Sequence, residues 1–298
     1  LVLDVSRPGA ADYLFEKISA LLQAHPIAYL KWDMNRDLTT AGLADGSAGY
    51  RAQVHAAWGL MARLRAAHPA VEIESCSGGG GRIDFGVLRH THRVWTSDCI
   101  DALSRVQIQR GFLQFFPPEI MGAHVGTAPA HTTGRTQSLD FAAAVALPGH
   151  FGLEFDLRGL GDGARAALAR WIALYKQWRG LLHRGRVWRG DAGDGLVWQA
   201  HGDADAGELL LLVYRTAPTS HRYMPPLRLP MLDRAARYCV RMVETGMRNP
   251  WGSAPLLDAL AAPGGEGVAM DGAWLVEAGL PLPRTPAEFA HLVHLKRL

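Results

Sequence analysis

The segment 29–38, YLKWDMNRDL, begins as a short apolar run and changes at once to a mixture of charged and amide side chains. A run of this kind is typical of a buried strand whose last residues emerge at a functional rim. Asp33 stands at that point, two residues after Lys31 and directly after Trp32. The segment therefore predicts a strand end that carries chemistry.

Three further runs repeat this arrangement: AVEIESCS at 70–77, RVWTSD at 93–98 and HFGLEFDL at 150–157. Amphipathic helix patterns alternate with them, the clearest at 11–22 and 50–67, as in βα units around a parallel sheet. Parallel strands that all deliver polar residues at their carboxyl ends favour a (β/α) barrel over an open doubly wound sheet. The predicted fold of this part is therefore α/β, with a barrel arrangement.

The pattern changes in the last third of the chain. One long helix is predicted over 163–182, and short alternating strands broken by Gly and Asp follow it, which suit an antiparallel β-sandwich. We predict a domain boundary near 182–186, with a first domain over 1–182 and a second over 183–298. The tail 256–280 is predicted to continue the strand-and-turn pattern.

The bulk composition argues against several classes of partner. The 298 residues are 48% hydrophobic and 20% charged, as in an ordinary globular protein of one or two domains. The net charge of +3 comes from 31 basic and 28 acidic residues without a basic stripe, so no nucleic acid partner is predicted. Because the chain has no apolar window long enough to cross a bilayer, no membrane partner is predicted either.

Cysteine and histidine usage gives no metal or disulfide framework. The three cysteines are Cys76, Cys99 and Cys239. This odd and sparse set argues against disulfides and favours a reducing compartment, so we predict a cytoplasmic location. The histidines considered for metal binding are His90, His92, His124 and His131. Because none of them lies in a known ligand pattern, no metal site is predicted.

Asp33 and Asp98 stand out among the carboxylates, because each lies at a predicted strand end near an indole. In a barrel these ends converge on one mouth, so two acids far apart in sequence can face the same small volume. Glycoside hydrolysis uses such a pair, one acid to attack the anomeric carbon and one to protonate the leaving oxygen. The alternative for either acid is an N-terminal cap of the next helix.

Neighbouring side chains fit a sugar site but also allow plainer interpretations. Trp32 and Trp95 can stack on the apolar face of a pyranose, although spacing alone favours a place in the core for each. Lys31 can bind a hydroxyl and keep Asp33 ionised, or it can be a solvated surface charge. The sequence leaves these alternatives open.

Four consecutive glycines at 78–81 follow a predicted strand, where the backbone approaches a ligand closely or turns sharply. A phosphate-binding loop of the Walker type needs Lys and then Ser or Thr after its last glycine. Arg82, Ile83 and Asp84 stand there instead, so nucleotide binding is not predicted. A purely structural loop remains the alternative.

Several motifs, in this order, resemble those of the bacterial-type α-galactosidases of glycoside hydrolase family 36. They are LVLDVSRP, YLKWDMNR, ESCSGGGGRIDFGVL, WTSDCIDA, MGAHVG and FGLEFDL. The resemblance covers residues 1 to about 182 and implies the C-terminal part of a (β/α)8 TIM barrel, about strands 4 to 8, followed by an antiparallel β-sandwich. It also implies a retaining exo-α-galactosidase that acts on raffinose-type oligosaccharides without a cofactor.

The same resemblance assigns roles to individual residues. Asp33 would be the nucleophile and Asp98 the acid/base, with their carboxyl groups roughly 5 to 6 Å apart. Asp101 receives no catalytic role. The residues implied in substrate binding are Lys31, Trp32, Asn35, Cys76 and Gly79, with Trp32 as part of the pocket wall.

The resemblance also sets limits on what to expect. Cys99 and Ile100 replace the usual Asn-Thr, and the segment 129–135 also departs from the family pattern, which bears on aglycone preference more than on reaction type. Family members carry a further domain and the first barrel strands ahead of these motifs, so we expect a fragment that is poorly active or inactive alone, and a homo-oligomer for the full-length form. The alternatives are an α-N-acetylgalactosaminidase, a transglycosylase or a catalytically silent sugar-binding fragment.

Overall fold

The computed structural model describes residues 2–39, 41–43, 46–222, 224–252, 259–260 and 266–298. Backbone contacts divide the chain into two compact units, Leu1–Asp98 and Cys99–Leu298. No helix in these described ranges is both long enough and apolar enough to cross a membrane.

The first unit alternates helices with parallel strands. Its elements are α1 (Pro8–Ala24), β1 (Tyr29–Trp32), α2 (Tyr50–Ala67), β2 (Glu72–Ser75), a 3-10 turn (Val87–Arg89) and β3 (Arg93–Trp95). Strand β2 pairs in parallel with both β1 and β3. The helices predicted over 11–22 and 50–67 are both present. Pro8 occupies the first turn of α1, where its missing N–H costs nothing, and Pro69 follows the end of α2.

One face of the first unit's strands packs against α2. The buried residues of this cluster are Leu60, Met61, Leu64, Ile73 and Val87. Because side chains alternate along a strand, the residues next to Ile73 on β2 face the other way. The opposite face of the strands is therefore left for polar side chains.

The second unit begins with two more parallel strands and three helices. They are α3 (Ala102–Phe112), β4 (Met121–Gly126), α4 (Leu139–Ala146), β5 (His150–Glu154) and α5 (Asp162–Arg184). Strands β4 and β5 pair in parallel, and α5 is the long helix predicted over 163–182. Helices α3 and α4 each begin at a side-chain cap, Asp101 for α3 and Ser138 for α4.

An antiparallel sheet completes the second unit. Its elements are β6 (Arg186–Asp191), β7 (Leu196–Gly202), β8 (Glu208–Arg215), β9 (Arg237–Met242), β10 (Val268–Asp271), α6 (Gly272–Glu277) and β11 (Phe289–Arg297). The strand order is β10-β9-β11-β8-β7-β6. One face packs in a cluster with α4 and α5, and the other packs against the segment 227–232 and α6. The central strand β8 is consequently buried on both faces.

The tail differs in part from the prediction for 256–280. Residues 256–258 and 261–265 of that range lie outside the described residues. Strand β10 agrees with a strand-and-turn pattern, but α6 is a short helix. Its fully buried Leu275 packs into the core beneath the sheet, and this tertiary contact favours helix where local composition indicated turns. The domain boundary predicted near 182–186 stays a prediction.

Candidate active site

Three predicted site residues at the carboxyl end of β1 point to two different faces of the sheet. Lys31 and Asp33 are two residues apart, so both point to the face opposite α2, and both are exposed. Trp32 points the other way and packs against the α2 cluster. The structure therefore does not bring the Trp32 indole together with Lys31 and Asp33. The indole packs against the hydrophobic core of the first unit, as the alternative interpretation of Trp32 predicted.

Asp33 sits in a network of hydrogen bonds. The Asn35 side chain donates from Nδ2 to Asp33 Oδ2 at 2.8 Å, and the main-chain N–H of Gly78 donates to Asn35 Oδ1 at 2.7 Å. The Cys76 thiol also donates to the Asp33 carboxylate. Three of the predicted residues, Asp33, Asn35 and Cys76, are thus brought into direct contact.

This network favours the ionised form of Asp33. Partial burial acts to raise the pKa of the Asp33 carboxyl, and hydrogen bonds from Asn35 and Cys76 act to lower it. The Met34 N–H and the nearby charge of Lys31 act in the same direction, so the pKa lies below its ordinary value. An ionised carboxylate at this position is suited to attack an electrophilic carbon.

Cys76 follows β2 and is buried, with 1% of its surface exposed. Burial raises the pKa of its thiol to about 11, and the hydrogen bond to Asp33 adds to that effect. The thiol therefore stays protonated at neutral pH and serves as a hydrogen-bond donor to the carboxylate.

The glycine run brings the backbone close to the segment that carries Asp98. Gly79 has a positive φ of +77°, and a Cβ there would lie 2.6 Å from the main-chain nitrogen of Asp98. A Cβ on Gly80 would lie 2.5 Å from the carbonyl oxygen of Thr96. Only glycine allows this approach at Gly79 without strain. The loop thus holds main-chain segments together, whatever ligand it contacts.

Asp98 is joined to Lys31 through an indole. Trp95 is buried and donates from Nε1 to Asp98 Oδ1 at 3.0 Å. The Lys31 ammonium lies 4.7 Å from the centre of the Trp95 ring, a cation–π contact. Asp98 itself is exposed. Trp95 therefore acts as a fixed support beneath two predicted site residues rather than as an exposed stacking surface.

Sequence reasoning missed Arg82, which was considered only as a mismatch to a phosphate-binding loop. Its Nη2 donates to the carbonyl oxygens of Trp32 at 2.8 Å and Cys76 at 2.9 Å, and its Nε donates to Ser75 Oγ at 3.1 Å. The signal available in the sequence was an arginine directly after four glycines. A glycine run of this kind allows a tight turn that brings the next residue back to the strand that precedes it.

Asp101 has a structural environment in the second unit. It is fully buried, caps α3 through the N–H of Ser104 at 2.9 Å, and accepts hydrogen bonds from Thr133 Oγ1 and Arg135 Nε. Burial alone would raise the pKa of the Asp101 carboxyl, but these donors lower it to about 2. The capping interpretation, considered for Asp33 and Asp98, thus applies to Asp101.

A cavity of about 450 Å³ opens on the connection that follows Asn35. Arg36 and Asp37 line it, together with Asp4 near the N-terminus and Gln53 of α2. Its size is in the range of small-molecule pockets. The predicted residues of the Asp33 network do not line this cavity.

The described part of the chain contains no group of three or more His, Cys, Asp or Glu side chains arranged to hold a metal ion. The described cysteines, Cys76, Cys99 and Cys239, are thiols rather than disulfide partners.

Comparison with known families identifies the chain. Residues 1–185 match the Melibiase family, and residues 196–295 match the glycosyl hydrolase family 36 C-terminal domain. The chain belongs to glycoside hydrolase family 36. An α-galactosidase of Escherichia coli is 40% identical over 99% of this chain, which corresponds to 42% of that protein.

Solved structures of family 36 members match the fold of this chain. The α-galactosidase AgaB from Geobacillus stearothermophilus has a TM-score of 0.86 at 32% identity, over 100% of this chain and 39% of that one. A variant of AgaA from the same organism, solved in complex with raffinose, has a TM-score of 0.85 at 32% identity and the same coverage. These matches confirm the predicted fold class, part of a family 36 barrel followed by an antiparallel β-domain. The chain spans about two-fifths of the length of these relatives.

Proposed function

We propose that this chain carries the nucleophile and the acid/base of a retaining exo-α-galactosidase for raffinose-type oligosaccharides. The single observation that carries this proposal is the Asp33 carboxylate, held ionised by an amide, a buried thiol and a nearby ammonium group. Family 36 membership supports the reaction class, and raffinose and stachyose complexes of AgaA variants support the substrate class.

The reaction proceeds in two displacements. Asp33 attacks the anomeric carbon as the bond to the leaving oxygen breaks, and Asp98 gives its proton to that oxygen. A covalent β-galactosyl ester on Asp33 results. Asp98 then takes a proton from water, the water oxygen bonds to the anomeric carbon, and the ester bond breaks to release α-galactose and the Asp33 carboxylate.

The remaining site residues support these steps. We assign sugar-hydroxyl contacts to Lys31, Asn35, Cys76 and Gly79. Lys31 lies on Trp95, the same indole that donates to Asp98, so one rigid ring orients the ammonium and the acid/base. A pocket-wall role for Trp32 has no support from its packing and would need a side-chain movement.

Further proposals concern the organisation of the protein. We propose a domain boundary after residue 182, which the limits of the two family matches at 185 and 196 support. A cytoplasmic location and a homo-oligomeric full-length form are also proposed. Light scattering and cell fractionation of the natural protein test the last two.

The test of the catalytic roles uses the full-length form and a nitrophenyl α-galactoside. Asp33→Gly should abolish turnover, and added azide should restore part of it and give the β-galactosyl azide, because azide replaces the missing nucleophile. Asp98→Ala should spare substrates with very good leaving groups. Asp205→Gly, in an exposed turn of the second unit, is the matched control and should keep activity.

Product analysis separates the alternatives. NMR of the first anomer released should show α-galactose; release of β-galactose would contradict the retaining mechanism. Preference for an N-acetylgalactosaminide over raffinose would contradict the substrate assignment. Galactose binding without turnover would favour a sugar-binding fragment.

A further inference from the structure

Arg82 connects the ends of two strands through a single nitrogen. Its Nη2 donates one N–H to the carbonyl of Trp32 and the other to the carbonyl of Cys76. Trp32 is the last residue of β1, and Cys76 is the first residue after β2. Because the guanidinium is charged, both hydrogen bonds are charge-assisted, and because it is partly buried, solvent screens them weakly.

The two carbonyls are those that extend the β1–β2 pairing by one step. The N–H of Cys76 donates to the Trp32 carbonyl at 2.9 Å, and the N–H of Met34 donates to the Cys76 carbonyl at 3.2 Å. Asp33 lies between Trp32 and Met34, so its main chain is fixed on both sides by bonds that share acceptors with Arg82. The distance between the Asp33 carboxylate and the Cys76 thiol is set by this arrangement.

The positive charge of Arg82 is compatible with its partly buried position near Asp33. Burial lowers the pKa of its guanidinium, and the charge of Asp33 is among the groups that act in the opposite direction. Ser75, whose hydroxyl accepts from Nε, points to the opposite face of β2 from Cys76. Arg82 therefore approaches from the face of the strands that packs against α2, whereas the Asp33 carboxylate lies on the opposite face.

We propose that Arg82 is a positioning residue, which locks the ends of β1 and β2 and thereby holds the Asp33 carboxylate against Asn35 and Cys76. The catalytic consequence rests on the proposed function, whereas the effect on Cys76 does not. A fork of N–H groups is needed to reach two carbonyls and a hydroxyl, which the single ammonium of a lysine cannot reproduce.

The experiment compares Arg82→Gln and Arg82→Lys with Arg65→Gln. Arg65 is the matched control, because its guanidinium also donates to a main-chain carbonyl, that of Arg89, but outside the glycine loop. Turnover of a nitrophenyl α-galactoside gives kcat and KM. Alkylation by iodoacetamide, located by mass spectrometry, gives the accessibility of Cys76, with Cys99 and Cys239 as internal references.

Arg82→Gln should lower kcat by about 10²-fold with little change in KM, because a misplaced nucleophile weakens the transition state more than substrate binding. Cys76 should be alkylated several-fold faster, and Arg82→Lys should give a smaller change of both kinds. Arg65→Gln should change neither. Arg82→Lys also serves as the folded comparison if Arg82→Gln does not fold.

The outcomes are separable. Unchanged Cys76 alkylation in a folded Arg82 variant overturns the proposal, whether or not the chain turns over substrate. So does a loss of kcat that Arg65→Gln reproduces, since it reflects general destabilisation. Absence of turnover in the full-length form contradicts the proposed function, whereas in this chain alone it is the expected result. In either case the alkylation result decides the role of Arg82.

Discussion

Gly79 lacks a side chain at the point where the glycine loop touches the segment carrying Asp98. A Cβ there would lie 2.6 Å from the Asp98 nitrogen and 2.8 Å from the Ser97 Cα, and both are main-chain atoms that cannot rotate away. The positive φ of +77° adds a second constraint, because residues with a Cβ rarely adopt it.

Gly79→Ala should therefore lower the free energy of unfolding by about 1–3 kcal/mol and displace Asp98 from its hydrogen bond to Trp95. Gly59→Ala is the matched control. Gly59 lies inside α2 with open space around its missing Cβ, so alanine there should raise stability by about 0.5–1 kcal/mol. Urea unfolding measures both. Equal stability of Gly79→Ala and the parent chain would mean that the loop can move away from Asp98.

At the residue scale, the resemblance assigned Asp33 and Asn35 to one site, and the structure joins their side chains by a hydrogen bond of 2.8 Å. The alternation of side chains along β1 sends Trp32 into the α2 cluster, which a resemblance to a motif does not show. The acceptors of Arg82 could not be read from the sequence, because two of the three are main-chain carbonyls; its position directly after four glycines was the available signal.

At the element scale, Asp101 ties the first turn of α3 to the segment 129–135. One carboxylate oxygen caps the helix, and the other accepts from Thr133 and Arg135. Thr132 of the same segment also donates to the Cys99 sulfur at 3.3 Å. The segment in which this chain departs from the family pattern is thus fastened to the helix that follows Asp98 in sequence.

Asp101→Ala should lower the free energy of unfolding by about 2–3 kcal/mol, because it removes the cap of α3 together with the charge-assisted hydrogen bonds from Thr133 and Arg135. Ser138→Ala removes the cap of α4, whose hydroxyl accepts from the N–H of Phe141 at 3.1 Å, and should cost only about 1 kcal/mol. Thermal and urea unfolding of both variants check the difference. Equal losses would show that Asp101 acts as an ordinary cap.

Helices α3 and α4 were not predicted, for physical reasons that their packing shows. Helix α4 has the sequence LDFAAAVA, and its residues Phe141 to Ala146 are buried apart from Ala142. A helix enclosed on most sides has no polar face, so its sequence lacks the 3.6-residue alternation that identified α2. In α3 the polar residues Arg105 and Gln109 are themselves buried and hydrogen-bonded, which hides the same signal.

At the scale of the whole molecule, two imidazoles are enclosed in the antiparallel sheet. His201 on β7 is fully buried and bonds through Nδ1 to the carbonyl of Leu182 at 2.8 Å. His291 on β11 is buried near Arg215. Burial lowers the pKa of each imidazole to about 4, and the positive charge of Arg215 adds to the effect at His291.

Acid should therefore destabilise the fold well above the range in which carboxylates titrate. In the unfolded chain a histidine has a pKa of about 6.5, so between that value and about 4 the unfolded state takes up protons that the folded state does not. The contribution of the two neutral imidazoles to the free energy of unfolding should be fully present above pH 6.5. It should fall toward pH 4, by up to about 3 kcal/mol for each imidazole.

Urea unfolding at pH 7, 6, 5 and 4 measures this loss. In His201→Asn, whose amide can still donate to Leu182, the slope of stability against pH should be shallower. The exposed His131, replaced in the same way, is the control and should leave the slope as it was. A slope that His201→Asn does not change would show that carboxylates alone cause the acid sensitivity.

The enclosure of β8 has a consequence for the chain before it folds. The run Leu209 to Tyr214 is uncharged, strongly apolar and free of Pro and Gly, as are segments that stack into cross-β aggregates when they are accessible. Glu208 and Arg215 flank it as charged gatekeepers. Strand β8 is covered only after β11 has been synthesised, some 75 residues later in the chain. Newly synthesised chains, and chains partly unfolded by acid, should therefore self-associate through this strand. Leu211→Lys should suppress that association but destabilise the fold.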